Sequence, residues 1–336
     1  MSDYDTPVVL GEDLGMGANK IWGPLGGVEL PSQVSIPLRE QKVYKMTGLR
    51  TERPPLAIQE NGTGSRLYVG LGAHSWGRPV ENLGYDRLTG SPEIRALFYG
   101  ALTHYIKAHG NPGVLSVIAG LPLEALTGGR ADTNAKAVRR WLRGEHSWTA
   151  DGEPFHISVE SVKVTSQATG ALFDYILDEE GRPGREAAIL KREVGVISVG
   201  FNTVEIMLLQ DKRLVPEMSA GPKLGVRRLL EIVDPDQYYS LGELDRMLRA
   251  GSLDISAALP VWEHEVRTFV ERTWGRRWKR FARIILVGGG SVLLHDYLLD
   301  AFNGRAVIPD NPVMSISRGL YKLALLQANA RRKRKG

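Results

Sequence analysis

The chain has 336 residues, long enough for two domains with ample core. Hydrophobic residues make up 43% and charged residues 24%, the balance of an ordinary soluble globular protein, and the absence of cysteine excludes disulfides and thiolate metal sites. The net charge of +5 has one source: five of the 43 basic residues are Arg331, Arg332, Lys333, Arg334 and Lys335, and the rest of the chain is balanced against its 38 acidic residues.

The N-terminus, Met1-Ser-Asp-Tyr-Asp-Thr-Pro7, is acidic and lacks the apolar core of a signal peptide. No apolar run approaches the ~18–20 residues of a membrane span. The expected location is therefore cytoplasmic, with no membrane partner. Val8-Val-Leu-Gly-Glu-Asp-Leu-Gly-Met-Gly-Ala-Asn-Lys-Ile21 reads as a strand, a glycine-rich turn and a second strand. Short strands and turns from about 25 to 90 predict a small insertion subdomain, with Asn61-Gly62 as a hairpin turn and Trp76 to Asn82 as an exposed loop. Ser91-Pro92 predicts a helix start, with Ser as N-cap and Pro at the first helical position. Ile94, Leu97, Phe98, Ala101, Leu102 and Tyr105 form its apolar stripe, and Gly110 stops it.

A buried strand from Val114 runs into Gly120-Leu-Pro122, and a helix over 132–143 carries Lys136, Arg139, Arg140 and Arg143 on a solvated face. Trp148 to Gly152 reads as a turn. Phe155, Ile157 and Val159 alternate with polar residues, then Val162-Lys-Val164 continues the strand into a helix that begins within Thr165–Ile176. Gly181-Arg-Pro-Gly184, within 178–186, marks a boundary loop. A second strand–turn–strand follows at Val194-Gly-Val-Ile-Ser-Val-Gly-Phe-Asn-Thr-Val-Glu-Ile-Met-Leu-Leu209. Helices are expected over 224–233, after the capping box Ser240-x-x-Glu243, and over about 261–280 with Trp262, Val266, Phe269 and Val270 inward. The last of these ends in Trp274-Gly-Arg-Arg-Trp-Lys-Arg280, read as an amphipathic helix end or a partner contact. Ile284 to Leu294 is a strand that passes through Gly288-Gly289-Gly290 into a helix ending at Asn303-Gly304, and an apolar helix over about 313–328 returns to the first lobe.

Two of these stretches are twins. Setting Asp13 on Ser198 puts Gly15 on Gly200, Lys20 on Glu205 and Ile21 on Ile206, with Asn19 near the same turn. Glycine permits close approach of the backbone to a ligand, and a turn rich in free N–H groups makes a nest for an anion. Two such hairpins and one strand–Gly-Gly-Gly–helix turn point to a nucleotide held between two similar lobes. The histidines are scattered without ligand spacing, so no metal is assigned to them.

The order of these motifs resembles the actin-like ATPases of bacteria and archaea, and is most similar to the plasmid-segregation actins of the ParM type. Asp13-Leu-Gly-Met-Gly-Ala-Asn-Lys20 resembles the first phosphate loop of that family, Leu30-Pro-Ser32 the extended segment after it, and Gly120-Leu-Pro122 with Gln167-x-x-Gly-Ala171 the segments leading to its first connecting helix. Gly200-Phe-Asn-Thr-Val-Glu205 resembles the second phosphate loop, Val287-Gly-Gly-Gly-Ser291 the adenosine motif, and Met314 to Leu320 with Gly319 the closing segment. The resemblance covers nearly the whole chain. It implies a duplicated α/β fold of the actin/Hsp70/sugar-kinase kind, two lobes with a nucleotide cleft between them. The first lobe is expected to comprise residues 1–180 with 313–330, the second 181–312, and residues 331–336 a disordered basic tail.

The resemblance also implies site roles. Asp13, Gly15, Met16, Gly17, Asn19, Lys20, Gly200, Phe201, Asn202 and Thr203 would bind the phosphates of ATP or GTP, the N–H groups of Met16, Gly17, Phe201 and Asn202 cradling the β- and γ-phosphates. Asp13 would hold Mg²⁺ through water, because this ion dehydrates reluctantly. Gly288, Gly289, Gly290 and Ser291 would bind adenosine. Gln167 would orient the attacking water, with Glu205 as a second catalytic residue. One departure stands out: Ser198 occupies a place where the family usually has Asp, which implies slow hydrolysis. The expected function is a nucleotide-dependent, polymerising ATPase that segregates or positions plasmid or other DNA. The alternative is a non-polymerising relative, acting as a nucleotide-binding scaffold or regulator or as a small-molecule kinase. Self-association and a DNA or acidic-adaptor contact through Arg331 to Lys335 are the expected partners; the tail is otherwise a solvated end.

Overall fold

Short apolar runs build two sheets whose central strands are buried on both faces, and the structure, a computed structural model, describes residues 7–38, 54–62, 65–81 and 84–335. In the first lobe the elements are β1 (Val8–Leu14), β2 (Ala18–Gly23), β3 (Gly26–Pro31), β4 (Val34–Pro37), β5 (Leu56–Glu60), β6 (Arg66–Val69) and β7 (Gly77–Pro79). They are followed by α1 (Pro92–His109), β8 (Val114–Leu121), α2 (Ala131–Leu142), β9 (Gly144–Ala150), β10 (Glu153–Ser166) and α3 (Gln167–Ile176). The second lobe holds β11 (Glu193–Val199), β12 (Val204–Gln210), β13 (Arg213–Leu214), α4 (Val226–Val233), α5 (Leu241–Arg249), α6 (Leu259–Trp274), β14 (Arg283–Val287), α7 (Gly289–Leu293), α8 (His295–Ala301) and β15 (Ala306–Val307). The final helix, α9 (Ser315–Lys335), packs back on β1 and β2.

The first sheet has ten strands in the order β3-β2-β1-β8-β10-β9-β5-β6-β4-β7, and the second has five in the order β13-β12-β11-β14-β15. The centres repeat one pattern: β1 pairs antiparallel with β2 and parallel with β8, as β11 pairs antiparallel with β12 and parallel with β14. Between the sheets lies a third apolar layer in which Ala171 and Leu172 of α3 and Ile316 and Leu320 of α9 meet Ile118 from one sheet and Val196 and Ile285 from the other. α3 and α9 cross where Gly170 faces Gly319; a Cβ on Gly319 would overlap the Gly170 carbonyl, so only glycine lets the backbones come this close. Asp174 fastens the crossing. It is buried, accepts from the Ser315 hydroxyl at 2.6 Å and from both forks of Arg318 at 2.6 and 2.7 Å, and pairs with Lys322 at 3.1 Å.

Several expectations change here. The strands between 25 and 90 do not stand apart, because β5 pairs with β9 through Ile58↔Ala150 and carries β6, β4 and β7 onto the same sheet. Trp148 is a fully buried strand residue stacked between Tyr99 and Phe155, so the turn lies at Asp151-Gly152, a dipeptide whose positive φ values of 52° and 85° suit a tight hairpin. Residues 77–79 pair with β4 as an edge strand where a loop was expected, and the expected loop's end at Asn82 lies outside the described residues. Ser91 sits at the N-cap of α1, but its hydroxyl makes no cap hydrogen bond. α6 stops at Trp274, where Gly275 takes φ +51°, and 277–280 form a separate 3₁₀ turn. α9 does not end near Ala328. It continues as helix to Lys335, because Ala, Leu, Lys and Arg favour helix and no Gly or Pro intervenes between Leu320 and Gly336.

Candidate functional site

The two hairpins meet at one cleft of 460 Å³, within the usual range for small-molecule sites. Asp13, Gly15, Met16, Gly17 and Lys20 line it from the first lobe, and Ser198, Gly200, Phe201, Asn202 and Thr203 from the second. Gly288, Gly289 and Gly290 close one end, and Gln167 stands at the base. The twin alignment holds to the residue: Asp13↔Lys20 and Ser198↔Glu205 are the corresponding cross-strand pairs.

The residues of both turns line the cleft, and their hydrogen bonds hold the loops from behind. At the first, the Gly15 N–H is spent on the Asp13 carbonyl at 2.8 Å, while Ser32 holds the loop from behind, its hydroxyl donating to the Gly15 carbonyl at 2.8 Å and its N–H to the Gly17 carbonyl at 3.0 Å. At the second, the carbonyls of Gly200 and Phe201 accept from the first N–H groups of α4 at 3.0 and 2.7 Å. Among the described residues, the N–H groups of Met16, Gly17, Phe201 and Asn202 donate no hydrogen bond. The loops touch, since a Cβ on Gly17 would meet the Phe201 side chain. Asn202 is buried in the cleft wall with both amide atoms unpartnered, a costly arrangement unless a ligand completes it.

At the third turn β14 passes into α7 through Gly288, whose φ of +92° and close approach to the Val199 carbonyl require glycine. Gly289 is open: a Cβ there meets nothing within 4 Å. Asp13 accepts from the Lys20 ammonium at 3.0 Å and from the Gln167 amide at 2.6 Å. Gln167 is placed by the start of α3, where the Ser166 hydroxyl caps the Thr169 N–H at 3.1 Å.

Three sequence-predicted site residues stand behind the wall instead of in it. Asn19 is fully buried opposite Leu14, on the face of β2 turned away from Asp13 and Lys20. Ser291 is fully buried and its hydroxyl donates to the Gly288 carbonyl at 2.7 Å, so it braces the turn. Glu205 is buried on the second-lobe side and accepts from the Leu123 N–H of the first lobe at 3.1 Å, which makes it a tie between lobes rather than a group facing a ligand. Burial, with Glu124 and Asp13 nearby, raises its pKa from 4.5 to about 8. The unfolded chain ionises this carboxyl near 4.5, so Glu205 contributes stability below that pH which is lost as pH rises to about 8. Glu205→Gln should remove this slope and gain on the parent by on the order of 2–4 kcal/mol at pH 8 compared with pH 4.5. Urea unfolding of both proteins without magnesium checks it, and parallel pH profiles would refute a protonated Glu205.

Other site residues went unread in the sequence. Glu29, Asp245, Leu248 and Arg249 line the outer side of the cleft, and Tyr85 lines it while donating to Glu124 at 2.9 Å. Asp245 and Arg249 look like an ordinary surface i, i+4 pair until the lobes are brought together. Glu12 is fully buried beside the Asn19 side chain, and burial followed by the neighbouring Asp13 pushes its carboxyl well above the usual range. Its one sequence signal is a carboxylate inside an apolar strand. Among the described residues no group of three or more His, Asp or Glu could hold a metal ion, and no helix is long and apolar enough to cross a membrane.

Two sheet lobes with twin central hairpins across one cleft define the actin-like fold. Residues 11–170 match the family model described as the N-terminal domain of actin-like proteins. Among solved structures the chain is similar to the actin-like protein Alp7A, at 14% identity and a TM-score of 0.74 over 98% of this chain and 99% of that one. It is similar to Ta0583, an archaeal actin homolog in complex with ADP, at 20% identity and TM-score 0.69 over 96% and 99%. It is also similar to the ParM of a 15-stranded filament from Clostridium botulinum, at 19% identity and TM-score 0.65 over 94% and 98%. At these identities the likeness is one of fold. No curated protein matches the sequence.

Proposed function

We propose that this chain is a nucleotide-dependent, filament-forming actin-like ATPase. The observation that carries the reading is the pair of twin turns, one from each lobe, whose residues with undonated N–H groups line one cleft beside the glycine turn after β14. The fold neighbours support it, one bound to ADP and another assembled as a filament. The residues fit the ligand. N–H groups of Met16, Gly17, Phe201 and Asn202 would hold the β- and γ-phosphates, Lys20 would add a point charge, and the Thr203 hydroxyl a further donor. Gly288 to Gly290 leave room for adenosine at the other end. Asp13, which lines the cleft beside Lys20, fits Mg²⁺ held mainly by phosphate oxygens and water. When bound, that ion would neutralise phosphate charge. Gln167, already against Asp13, would orient the attacking water, since transfer to water needs mainly positioning and charge stabilisation.

Light scattering tests the reading: the purified chain should scatter more after Mg-ATP or Mg-GTP is added and less after the nucleotide is consumed. No rise at any concentration up to tens of micromolar would leave a nucleotide-binding scaffold as the better description. The role in moving DNA rests on the five cations at 331–335, which continue α9 as helix. They would attract DNA or an acidic adaptor in a salt-dependent way through counterion release. Deleting 331–336 should leave the scattering rise intact and abolish co-pelleting with DNA at low salt.

Ser198 bears on the rate. It lines the cleft directly across from Glu205, at the place in the second hairpin that Asp13 holds in the first. If slow hydrolysis reflects poor ordering of magnesium waters, Ser198→Asp should raise phosphate release at saturating nucleotide by about tenfold, some 1.4 kcal/mol of barrier. A lower rate in the variant would mean the site is built around Ser, with the buried Glu205 opposite making a second carboxylate unwelcome.

A further inference from the structure

The outer side of the cleft is spanned by one face of α5. Gly242, Asp245 and Arg249 stand at i, i+3 and i+7, which puts them on one side of the helix, and each of them meets the first lobe. Arg249 donates to Asp245 on its own helix at 3.0 Å, and across the cleft to Glu29 at 3.0 Å and to the Gly17 carbonyl at 3.4 Å. Glu29 lies opposite Lys20 in the β2–β3 register, and Lys20 opposite Asp13 in the β1–β2 register. The bridge therefore attaches α5 to the strand face that carries Asp13 and Lys20, and to the loop between them. Gln33 adds a buried contact: its amide donates to the Gly242 carbonyl at 3.0 Å and to Asp245 at 3.1 Å, while its carbonyl accepts from the Gly72 N–H at 2.8 Å. The His74 ring fills the space a side chain at position 242 would need, so a Cβ there would overlap it.

We propose that this face of α5 is a clasp that sets how firmly the lobes close over nucleotide, with Arg249 as a positioning residue that holds the first phosphate loop from the opposite lobe. The proposal rests on reading the cleft as the nucleotide site and adds how that site is regulated. A ligand gripped by both lobes binds the closed form, so its apparent affinity and residence time scale with the closed fraction. The contacts of Arg249, Asp245, Gln33 and Gly242 exist only when the lobes are together, and removing them lowers that fraction without touching either sheet. Gly242 is the informative position. Alanine is the better helix former, so Gly242→Ala should not harm α5, yet its methyl would act as a wedge against His74.

The chain has no cysteine of its own, which allows spin labels on Arg78→Cys and Asp236→Cys, exposed positions in opposite lobes. Dipolar distances in the full chain without nucleotide should lengthen in Gly242→Ala and in Arg249→Gln, and Gly242→Ala with His74→Ala should return to the parent distance. A fluorescent ATP analogue should leave Gly242→Ala, Arg249→Gln and Glu29→Gln about tenfold faster than the parent. The Glu29→Gln/Arg249→Gln double variant should be no faster than Arg249→Gln alone, since the Glu29 bridge is already lost in that variant. Distances unchanged in both Gly242→Ala and Arg249→Gln overturn the clasp. Shifted distances in a parent that takes up no nucleotide would uphold the clasp and overturn the proposed function, so the two fail separately.

Discussion

Asp174→Ala should lower the unfolding free energy by about 3–5 kcal/mol, the cost of leaving buried cations without their counter-charge. Asp174 is 6% exposed and holds Ser315, Arg318 and Lys322 of α9 onto α3. Removing it leaves Lys322 with the exposed Glu179 at 2.8 Å and the backbone carbonyl of residue 174 at 3.4 Å, and Arg318 with the Asp310 carbonyl at 2.7 Å and its place over the Trp22 ring. The loss falls on the layer shared by both lobes, so urea unfolding should show a lower midpoint and a separation of the lobe transitions. A midpoint within experimental error of the parent would mean that α9 is held by its apolar face alone. Asp174→Asn, which keeps the shape and an acceptor, should cost less than alanine.

Asp13→Ala and Gly289→Val should each weaken Mg-ATP binding ten- to a hundredfold, about 1.5–3 kcal/mol, the worth of a hydrogen bond to a charged group. They act at opposite ends of the cleft for different reasons. Asp13 orders both Lys20 and Gln167, so alanine removes the acceptor that aims them and the carboxylate that would hold magnesium water. Its effect should therefore shrink when magnesium is chelated. Gly289 has open space in front of it and an ordinary φ, so valine would occupy the adenosine end without straining the backbone, and its effect should not depend on magnesium. Titration calorimetry with and without chelator separates the two. Unchanged affinity in both folded variants would overturn the assignment of the cleft.

Much of this site was legible in the residues because the signals are local. The spacing Asp13 to Lys20 and Ser198 to Glu205 is a property of a tight hairpin, and the structure reproduces both as cross-strand pairs. The capping box at Ser240 is equally local: both of its hydrogen bonds form, with Glu243 receiving the Ser240 N–H at 2.9 Å. Trp148 was read as a turn because a lone Trp among polar residues carries no period, and only stacking between Tyr99 and Phe155 makes it a strand residue. Glu205 was read as catalytic because it ends the stretch that resembles the second phosphate loop, and its twin in the first hairpin is Lys20. The equivalent backbone positions face different surroundings, an open cleft in one lobe and the Leu123 N–H of the other lobe in the second.

The residues alone determined what backbone geometry demands within a few positions: glycines where the chain must approach a neighbour, apolar runs that must be buried, and helix starts whose first N–H groups need a partner. They therefore determined the hairpins, the order of motifs and the fold class. The tertiary structure decided that Asp13 lines the cleft while Glu205 accepts from the other lobe, that strands β4 to β7 extend the first sheet, and that an ordinary-looking helix, α5, spans the cleft with Asp245 and Arg249. Those outcomes depend on contacts between residues some 80 to more than 200 positions apart, such as Leu123 with Glu205 and Glu29 with Arg249. A side chain's charge state and role follow from the dielectric and partners it meets there, and no local pattern encodes them.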